Sequence, residues 1–168
     1  MPEKPPAIAL DDRDIKILSI LSTEGRIAKA ELARRVNLSA APCWERLNRL
    51  EAAGVIRRYR AEIALARIAP SVTVFVMVEL EHHRAESFQV FERTVARHEE
   101  IVGCWALGGG FDYLMSVVTA SIDSYQRLID QLLECNIGLK RYFTYIVTKE
   151  VKAGSPPLAA LLTGRPTI

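Results

Sequence analysis

The most constraining feature of this 168-residue chain is a pair of apolar repeats with helical spacing, separated by a turn signal. In the first repeat, Lys29 to Val36, apolar side chains recur at steps of three and four, as along one face of a helix. The second repeat runs from Ser39 to Ala53. Between them lie Asn37 and Leu38, and Asn and Ser favour turns and helix starts. The pattern predicts a helix-turn-helix in which Ser39 caps the second helix.

The second helix of this motif has one side for packing and one for a partner. Cys43, Leu47 and Leu50 share a side, so we expect them to pack against the preceding helix. The outward side begins with two alanines, which allow the helix end to approach a DNA groove closely. For Trp44 an alternative stays open, in which the indole fills the core of the motif. The predicted DNA-binding residues are Ser39, Ala40, Ala41, Trp44, Arg46, Asn48, Arg49 and Arg57.

Positive charge is concentrated around the motif. From Arg26 to Arg60 the chain has nine basic and three acidic residues, a local balance of +6, whereas the whole chain carries +2. Such a patch is the electrostatic footprint of a protein that binds nucleic acid, with Arg46 and Arg49 as the main candidates for phosphate or guanine contacts. Helix-turn-helix motifs also occur in proteins that do not bind DNA. The alternative is therefore a metabolite-binding module, or a partner of a metabolic enzyme, that does not use the motif on DNA.

Composition and cysteine content limit the class of protein. With 49% apolar and 25% charged residues, the chain is globular. Its three cysteines are widely spaced and lie in apolar segments, which favours small buried side chains in a reducing compartment over disulfides. No apolar run is long enough to span a bilayer, and the N-terminus lacks a secretion signal. We therefore expect a cytoplasmic protein without a membrane partner.

The N-terminal half begins with an arm and a DNA-binding domain. Three prolines in residues 1–9 predict a flexible arm, and residues 10–63 are the predicted helix-turn-helix domain. Asp11, Asp12 and Asp14 crowd the start of its first helix. We interpret these acids as partners of the helix dipole rather than as a metal site.

The same domain is expected to end in a wing. Gly54 should stop the last helix, because glycine accepts the left-handed backbone of a helix end. Val55 to Ile63 is rich in strand formers and predicts a β-wing that extends the basic surface, with a solvated linker strand as the alternative. Residues 64–71, which contain a proline, are the predicted hinge.

From residue 72 the pattern changes to strands and helices that together span residues 72–152. A β-branched run apolar on both faces opens this region and predicts a central strand. The order β-α-β-β-α-β predicts a ferredoxin-like sandwich, and the fold class is α+β. The predicted strands are Val72–Leu80, Ile101–Leu107, Tyr113–Thr119 and Leu139–Glu150, and the predicted helices are Glu86–His98 and a helix capped by Ser121.

One face of this sheet should remain apolar after both helices have packed. Phe75 and Met77 lie on the side opposite Val74 and Val76. A small domain does not leave such a surface in water, so we expect it to pair with a second copy. The remaining residues, 153–168, contain several prolines and glycines and predict an irregular tail.

Two segments together resemble the Lrp/AsnC (feast/famine) transcription regulators. The first is Leu38 to Ile56, with the sequence LSAAPCWERLNRLEAAGVI, and the second is GGFDY at Gly109 to Tyr113, between two strands. The resemblance extends from Leu10 to Lys152 and implies a winged helix-turn-helix followed by a RAM-type domain. It implies a transcription regulator, not an enzyme, that binds double-stranded operator DNA and responds to an amino acid or related metabolite. A homodimer through the sheets, often assembled into a tetramer or octamer, is also implied.

The resemblance further implies an effector cleft between dimers. A glycine-rich turn beside an acid suits an amino acid, because free N–H groups meet a carboxylate and Asp112 accepts from an ammonium group. In the alternative, Gly109 and Gly110 only provide positive φ for a tight connection and Asp112 caps the turn. Carried onto this chain, the cleft residues are Gly109, Asp112, Ile122, Tyr145, Ile146 and Val147.

The chain also departs from the family pattern. Many members carry Thr where Ala41 stands and a smaller aliphatic residue where Trp44 stands, so no operator sequence is carried over. Gly108 adds a glycine to the loop. The segments His98 to Glu100 and Arg141 to Tyr145 resemble members that regulate amino-acid or compatible-solute catabolism, ectoine among them.

Enzyme and metal chemistry find little support in the sequence. The triple glycine at 108–110 matches neither the dinucleotide nor the P-loop spacing. His82, His83, His98 and Cys104 lack a metal-ligand spacing. We therefore predict no cofactor and no metal.

Overall fold

The computed structural model describes residues 8–163, so most of the predicted arm at 1–9 and the end of the predicted tail lie outside the described residues. The described residues form two compact units. Residues 8–62 and 152–163 belong to the first, and Ile63–Val151 form the second.

The first unit is helical. It contains α1 (Asp12–Thr23), α2 (Lys29–Arg35), α3 (Ala40–Ala52) and a C-terminal helix, α6 (Leu158–Thr163). As predicted, the packing side of α3 is buried against the other helices. The core consists of Ile17, Leu18, Ile20, Leu32, Ala33, Val36, Cys43, Leu47 and Leu50.

The turn between α2 and α3 depends on Asn37. This residue has φ of 54°, in the left-handed region that Asn tolerates better than most residues. The Leu38 N–H donates to the Ala33 carbonyl at 2.9 Å and the Asn37 N–H to the Arg34 carbonyl at 3.2 Å. Together these two bonds form a Schellman motif, so residues at its own C-terminal end terminate α2.

Ser39 occupies the N-cap position of α3, but the predicted capping bond is wrong. Its side chain makes no cap hydrogen bond. A capping hydroxyl accepts from the N–H of the second or third helical residue. The third is Pro42, which has no N–H.

Gly54 ends α3 as predicted, with φ of 68°. Its N–H donates to Glu51 at 2.9 Å, and the Val55 N–H donates to Leu50 at 3.0 Å. The strand predicted at Val55–Ile63 is wrong, because this segment has no strand assignment. A strand needs a neighbour to satisfy its N–H and C=O groups, and no described segment pairs with this one.

The predicted irregular tail is also partly wrong, since it contains α6. Leu158 packs against the core of the first unit, and the Ser155 hydroxyl donates to the Ser22 carbonyl at 2.5 Å. Prolines 156 and 157 suggested an irregular chain, yet proline is compatible with the start of a helix.

The second unit confirms the β-α-β-β-α-β order. It contains β1 (Val72–Leu80), α4 (Ala85–Val95), β2 (Ile101–Ala106), β3 (Tyr113–Thr119), α5 (Ile122–Glu134) and β4 (Leu139–Ile146). The sheet is antiparallel with the order β2-β3-β1-β4. The last strand is shorter than predicted, and a 3-10 turn at Leu65–Arg67 lies in the predicted hinge.

The two helices of this unit cover one face of the sheet. Val74, Val76 and Val78 of β1 are fully buried on that face. The Ser121 hydroxyl caps α5 by accepting from the Ser124 N–H at 3.1 Å, as predicted. On the opposite face Phe75 is 37% exposed, so the predicted alternation along β1 is confirmed.

Candidate DNA-binding and effector-binding sites

The outward side of α3 is accessible to a partner. Seven of the eight predicted DNA-binding residues are exposed, and Arg46 is half-buried. The exposed members are Ser39, Ala40, Ala41, Trp44, Asn48, Arg49 and Arg57.

Two arginines of α3 are fastened to the start of α1. Arg46 Nη1 donates to Asp11 at 2.6 Å and to Asp14 at 2.9 Å, and Arg49 Nη2 donates to Asp14 at 2.5 Å. The Asp14 side chain is only 1% exposed. Both candidate DNA contacts therefore also hold α3 on α1, although the Arg49 side chain remains 46% exposed.

The two carboxylates at the start of α1 are held in their charged form. Burial by itself raises the pKa of Asp14, but the Asp11 N–H, Arg49 and Arg46 outweigh it, so that the pKa lies below its usual value. The pKa of Asp11 is lowered mainly by the Asp14 N–H and by Arg46. Asp11 and Asp14 also form a reciprocal capping box.

The ion pairs of Asp14 were not predicted from the sequence. Our interpretation of this acid as a dipole partner accounts for its place in the first turn but not for its burial. A signal was available, because Asp14 precedes Ile17, Leu18 and Leu21 by three, four and seven residues. Those steps place the acid on the packing side of α1, where a buried charge requires a partner.

Ion pairing redistributes the positive charge predicted from the sequence. Of the nine basic residues between Arg26 and Arg60, four pair with Glu24, Glu31, Asp11 or Asp14. Within residues 8–163 the other five make no ion pair, and three of these five, Arg57, Arg58 and Arg60, follow α3. The available charge therefore lies mainly on the segment after α3.

Trp44 lies on the surface and does not fill the core. Its side chain is 42% exposed, and the Lys29 ammonium group lies 3.3 Å from the centroid of its ring. This distance is typical of a cation–π contact. The alternative in which Trp44 plugs the helix-turn-helix core is therefore wrong.

Asp112 supports the end of β1. Its carboxylate accepts from the Leu80 N–H at 2.8 Å and lies 3.1 Å from His83 Nε2, while its own N–H donates to the Val78 carbonyl at 2.9 Å. These bonds join the Asp112 side chain to β1 and to His83 rather than to its own turn, so the part of the alternative in which Asp112 caps the turn stays a prediction. The other half of that alternative is wrong, because neither Gly109 nor Gly110 has a positive φ.

The six predicted effector residues do not converge in one protomer. Gly109 and Asp112 lie at the end of the sheet where Tyr113 pairs with Val78. Ile122, Tyr145, Ile146 and Val147 lie at the opposite end, where Ile146 pairs with Val74 and the Val147 N–H donates to Thr73. The six steps along β1 from Val74 to Leu80, at about 3.3 Å per residue, separate these ends by about 20 Å.

The open face of the sheet carries four exposed aromatic side chains. In the strand register, Phe75 lies beside Tyr145, and Met77 lies between Leu114 and Phe143. On the edge strand β2, the ring of Trp105 covers Gly103, where an added Cβ would lie 2.5 Å from the ring. The four exposed aromatic residues are Phe75, Trp105, Phe143 and Tyr145.

Comparison with known proteins identifies relatives of both units. A family model described as "Winged helix-turn-helix DNA-binding" matches residues 10–57, and one described as "Lrp/AsnC ligand binding domain" matches residues 73–157. The transcriptional regulatory protein DoeX of Halomonas elongata is 50% identical over 150 residues, covering 89% of this chain and 95% of the relative. The leucine-responsive regulatory protein of Escherichia coli K12 is 37% identical over 89% of this chain and 92% of its own length.

Solved structures extend the similarity to the whole fold. An AsnC family transcriptional regulator from Agrobacterium tumefaciens has a TM-score of 0.83 and 31% identity, covering 90% of this chain and 99% of its own. A transcriptional regulator from Neisseria meningitidis, solved in complex with L-Met, has a TM-score of 0.83 and 32% identity, covering 91% and 99%. Within residues 8–163 of the present chain, no helix is long and apolar enough to cross a membrane.

Proposed function

Because the chain belongs to the Lrp/AsnC family of transcription regulators, we propose that α3 binds operator DNA while the sheet unit binds an amino acid or a related metabolite. The exposed side of α3 is the observation that supports DNA binding. It begins with Ala40 and Ala41, and α3 is followed in the chain by Arg57, Arg58 and Arg60, which make no ion pair within residues 8–163. A helix with a small N-terminal turn and cationic flanks fits a major groove between two phosphate backbones.

The phosphate contacts can be tested by salt dependence. We propose that Arg57, Arg58 and Arg60 supply the phosphate contacts that Arg46 does not supply, because Arg46 forms ion pairs with two aspartates. Binding to the protein's own upstream DNA, measured by fluorescence anisotropy, should weaken steeply with salt. Replacing all three arginines by alanine should reduce the slope of log K against log salt by about 2.7, since each lost phosphate contact removes about 0.9.

A matched control comes from an arginine that already has a partner. Arg34 is exposed but forms an ion pair with Glu31, so Arg34→Ala should change the slope little. An unchanged slope in the triple variant would exclude the segment after α3 from the DNA contacts. If the triple variant loses helical content, the salt dependence would be measured instead on the three single-arginine variants.

For the effector, we propose a site completed by a second copy of the chain. The support is the separation of Gly109 and Asp112 from Tyr145 and its neighbours, which prevents one protomer from supplying all six residues. The L-Met complex of the Neisseria meningitidis regulator supports an amino acid as the ligand class. Regulation of amino-acid or compatible-solute catabolism stays a prediction from the sequence resemblance.

A thermal-shift screen of amino acids and osmolytes would identify the effector. A ligand at 100 times its dissociation constant stabilises the bound form by about 2.7 kcal/mol. Tyr145→Ala should abolish the shift, whereas Val90→Ala on α4, which covers the other side of the sheet, should retain it. A shift that survives Tyr145→Ala unchanged would place the ligand elsewhere.

We further propose that the open sheet face forms a homodimer, and that dimers assemble further. The four exposed aromatic side chains support this, because burying apolar area contributes about 25 cal/mol per Å². Effector binding between dimers would then change the spacing of paired DNA-binding units, and with it the half-sites that one assembly spans. Light scattering with and without the effector tests this proposal. An effector that changes DNA affinity without changing the assembly or the spacing of the DNA-binding units would refute it.

A further inference from the structure

We infer that Trp44, Ala40 and Ala41 form an apolar surface that reads thymine 5-methyl groups in the major groove of the operator. The inference rests on DNA binding by α3 and names the chemical group that this helix recognises. It also assigns a role to Lys29, which orients the indole and brings a positive charge to one of its faces.

The surface is a groove between α2 and α3. It has a volume of about 320 Å³, and among its lining residues Leu32 and Leu47 are buried whereas Ala40, Ala41 and Trp44 are exposed. The Lys29 ammonium group covers one face of the indole at 3.3 Å from the ring centroid. The cation–π contact restricts the rotation of Trp44 and so keeps an apolar ring at the surface of the reading helix.

Charge favours DNA as the occupant of this groove over another protein surface. The charged residue that lines the groove is a lysine. The acid that follows Trp44, Glu45, lines a separate groove with Asp11, Arg46 and Arg49. An apolar floor with a cationic rim complements a base edge flanked by phosphates.

Thymine is the base that matches an apolar reader. In the major groove its C5-methyl is the one apolar group that a base edge presents, and alanine and aromatic side chains contact it. The N-terminal residues of the second helix in a helix-turn-helix are the ones that reach base edges. Ala40, Ala41 and Trp44 are the first, second and fifth residues of α3.

The test removes the methyl group and nothing else. Duplexes from the protein's own upstream region would be prepared with single thymines replaced by deoxyuridine, and affinities measured for the full-length protein. Wild type should bind about fourfold more weakly at each position whose methyl is read, the equivalent of about 0.8 kcal/mol for one buried methyl group. Trp44→Ala should lose this discrimination, and Trp44→Phe should keep part of it.

The control is Tyr59→Ala, which removes an exposed aromatic side chain of the same unit outside α3. It should retain the full thymine–uracil difference. Circular dichroism and light scattering would verify that each variant is folded and assembled like wild type. A change of assembly in Trp44→Ala would assign the groove to a contact between copies and refute the inference.

Failure of the inference can be distinguished from failure of the proposed function. If wild type binds its operator specifically but tolerates deoxyuridine at every position, thymine reading is refuted while DNA binding stands. If Trp44→Ala retains the discrimination, a different residue reads the methyl. If wild type binds no duplex specifically, the proposed function fails and the inference fails with it.

Discussion

Arg49 donates a 2.5 Å hydrogen bond from Nη2 to Asp14, a carboxylate that is 1% exposed and lies 35 residues earlier in the chain. Arg46, one turn before Arg49, donates to the other oxygen of the same carboxylate. The helix proposed to read DNA is thereby joined to the first helix through one buried acid.

Asp14→Asn should loosen the attachment of α3 to α1. The substitution keeps the shape of the side chain but removes the charge that two guanidinium groups share. We expect the free energy of unfolding of the helix-turn-helix to fall by about 1.5 to 2 kcal/mol. This is near the low end for hydrogen bonds to charged groups, because both arginines are also accessible to water. Hydrogen exchange of the amides in α1 and α3 measures this opening. Asp12→Asn, an exposed acid in the same turn, should change protection little, and equal losses in both variants would contradict the assignment.

The contribution of Asp14 should depend on pH in a defined direction. Its pKa is lower in the folded chain than the unfolded value of about 3.9. The stability it contributes is therefore fully present above that value and is lost as the pH falls through the folded pKa. The difference between wild type and Asp14→Asn, measured by urea unfolding at a series of pH values, should be constant near neutrality and shrink below about pH 4. A difference that grows on acidification would be inconsistent with a charged Asp14.

Gly54→Ala should destabilise the end of α3. At φ of 68°, a Cβ meets the following carbonyl and costs about 1 to 2 kcal/mol, although no other atom lies within 4 Å. Gly25→Ala is the control, because Gly25 does not have a positive φ and its nearest atoms are at an ordinary 3.8 Å. In thermal unfolding, the midpoint temperature should therefore fall for Gly54→Ala and stay close to the wild-type value for Gly25→Ala.

Gly103→Ala should displace Trp105 on the edge strand. An added Cβ lies 2.5 Å from the ring, so the indole must move, and the open face changes shape. We expect Trp105 emission to shift in a Trp44→Phe background. Association of the sheets should weaken about tenfold, the equivalent of about 1.4 kcal/mol for mild overpacking.

Gly108→Ala provides the comparison for that experiment, since its added Cβ meets no atom within 4 Å. Sedimentation should show wild-type association for this variant. If Gly103→Ala also associates normally while its Trp105 emission shifts, the ring is not part of the contact between copies.

The sequence by itself determined the helices α1 to α5, the strands β1 to β4 and the ends of α2 and α3, because each of these depends on neighbouring residues. Helical spacing predicted α2 and α3, and alternation along β1 distinguished its two faces. The left-handed residues Asn37 and Gly54 ended helices through bonds to carbonyls a few residues away. Family resemblance added the expected partners, DNA and an effector.

Only the tertiary structure decided which distant groups meet. It joined Asp14 to Arg46 and Arg49, packed α6 on the DNA-binding unit, left Val55–Ile63 without a strand partner, and placed the predicted effector residues at two ends of one sheet. The physical reason is that a buried charge, a strand and a binding cleft each need a partner that lies far away in the chain or in another copy. Local sequence patterns indicate that such a partner is required, and the three-dimensional arrangement determines which group makes the contact.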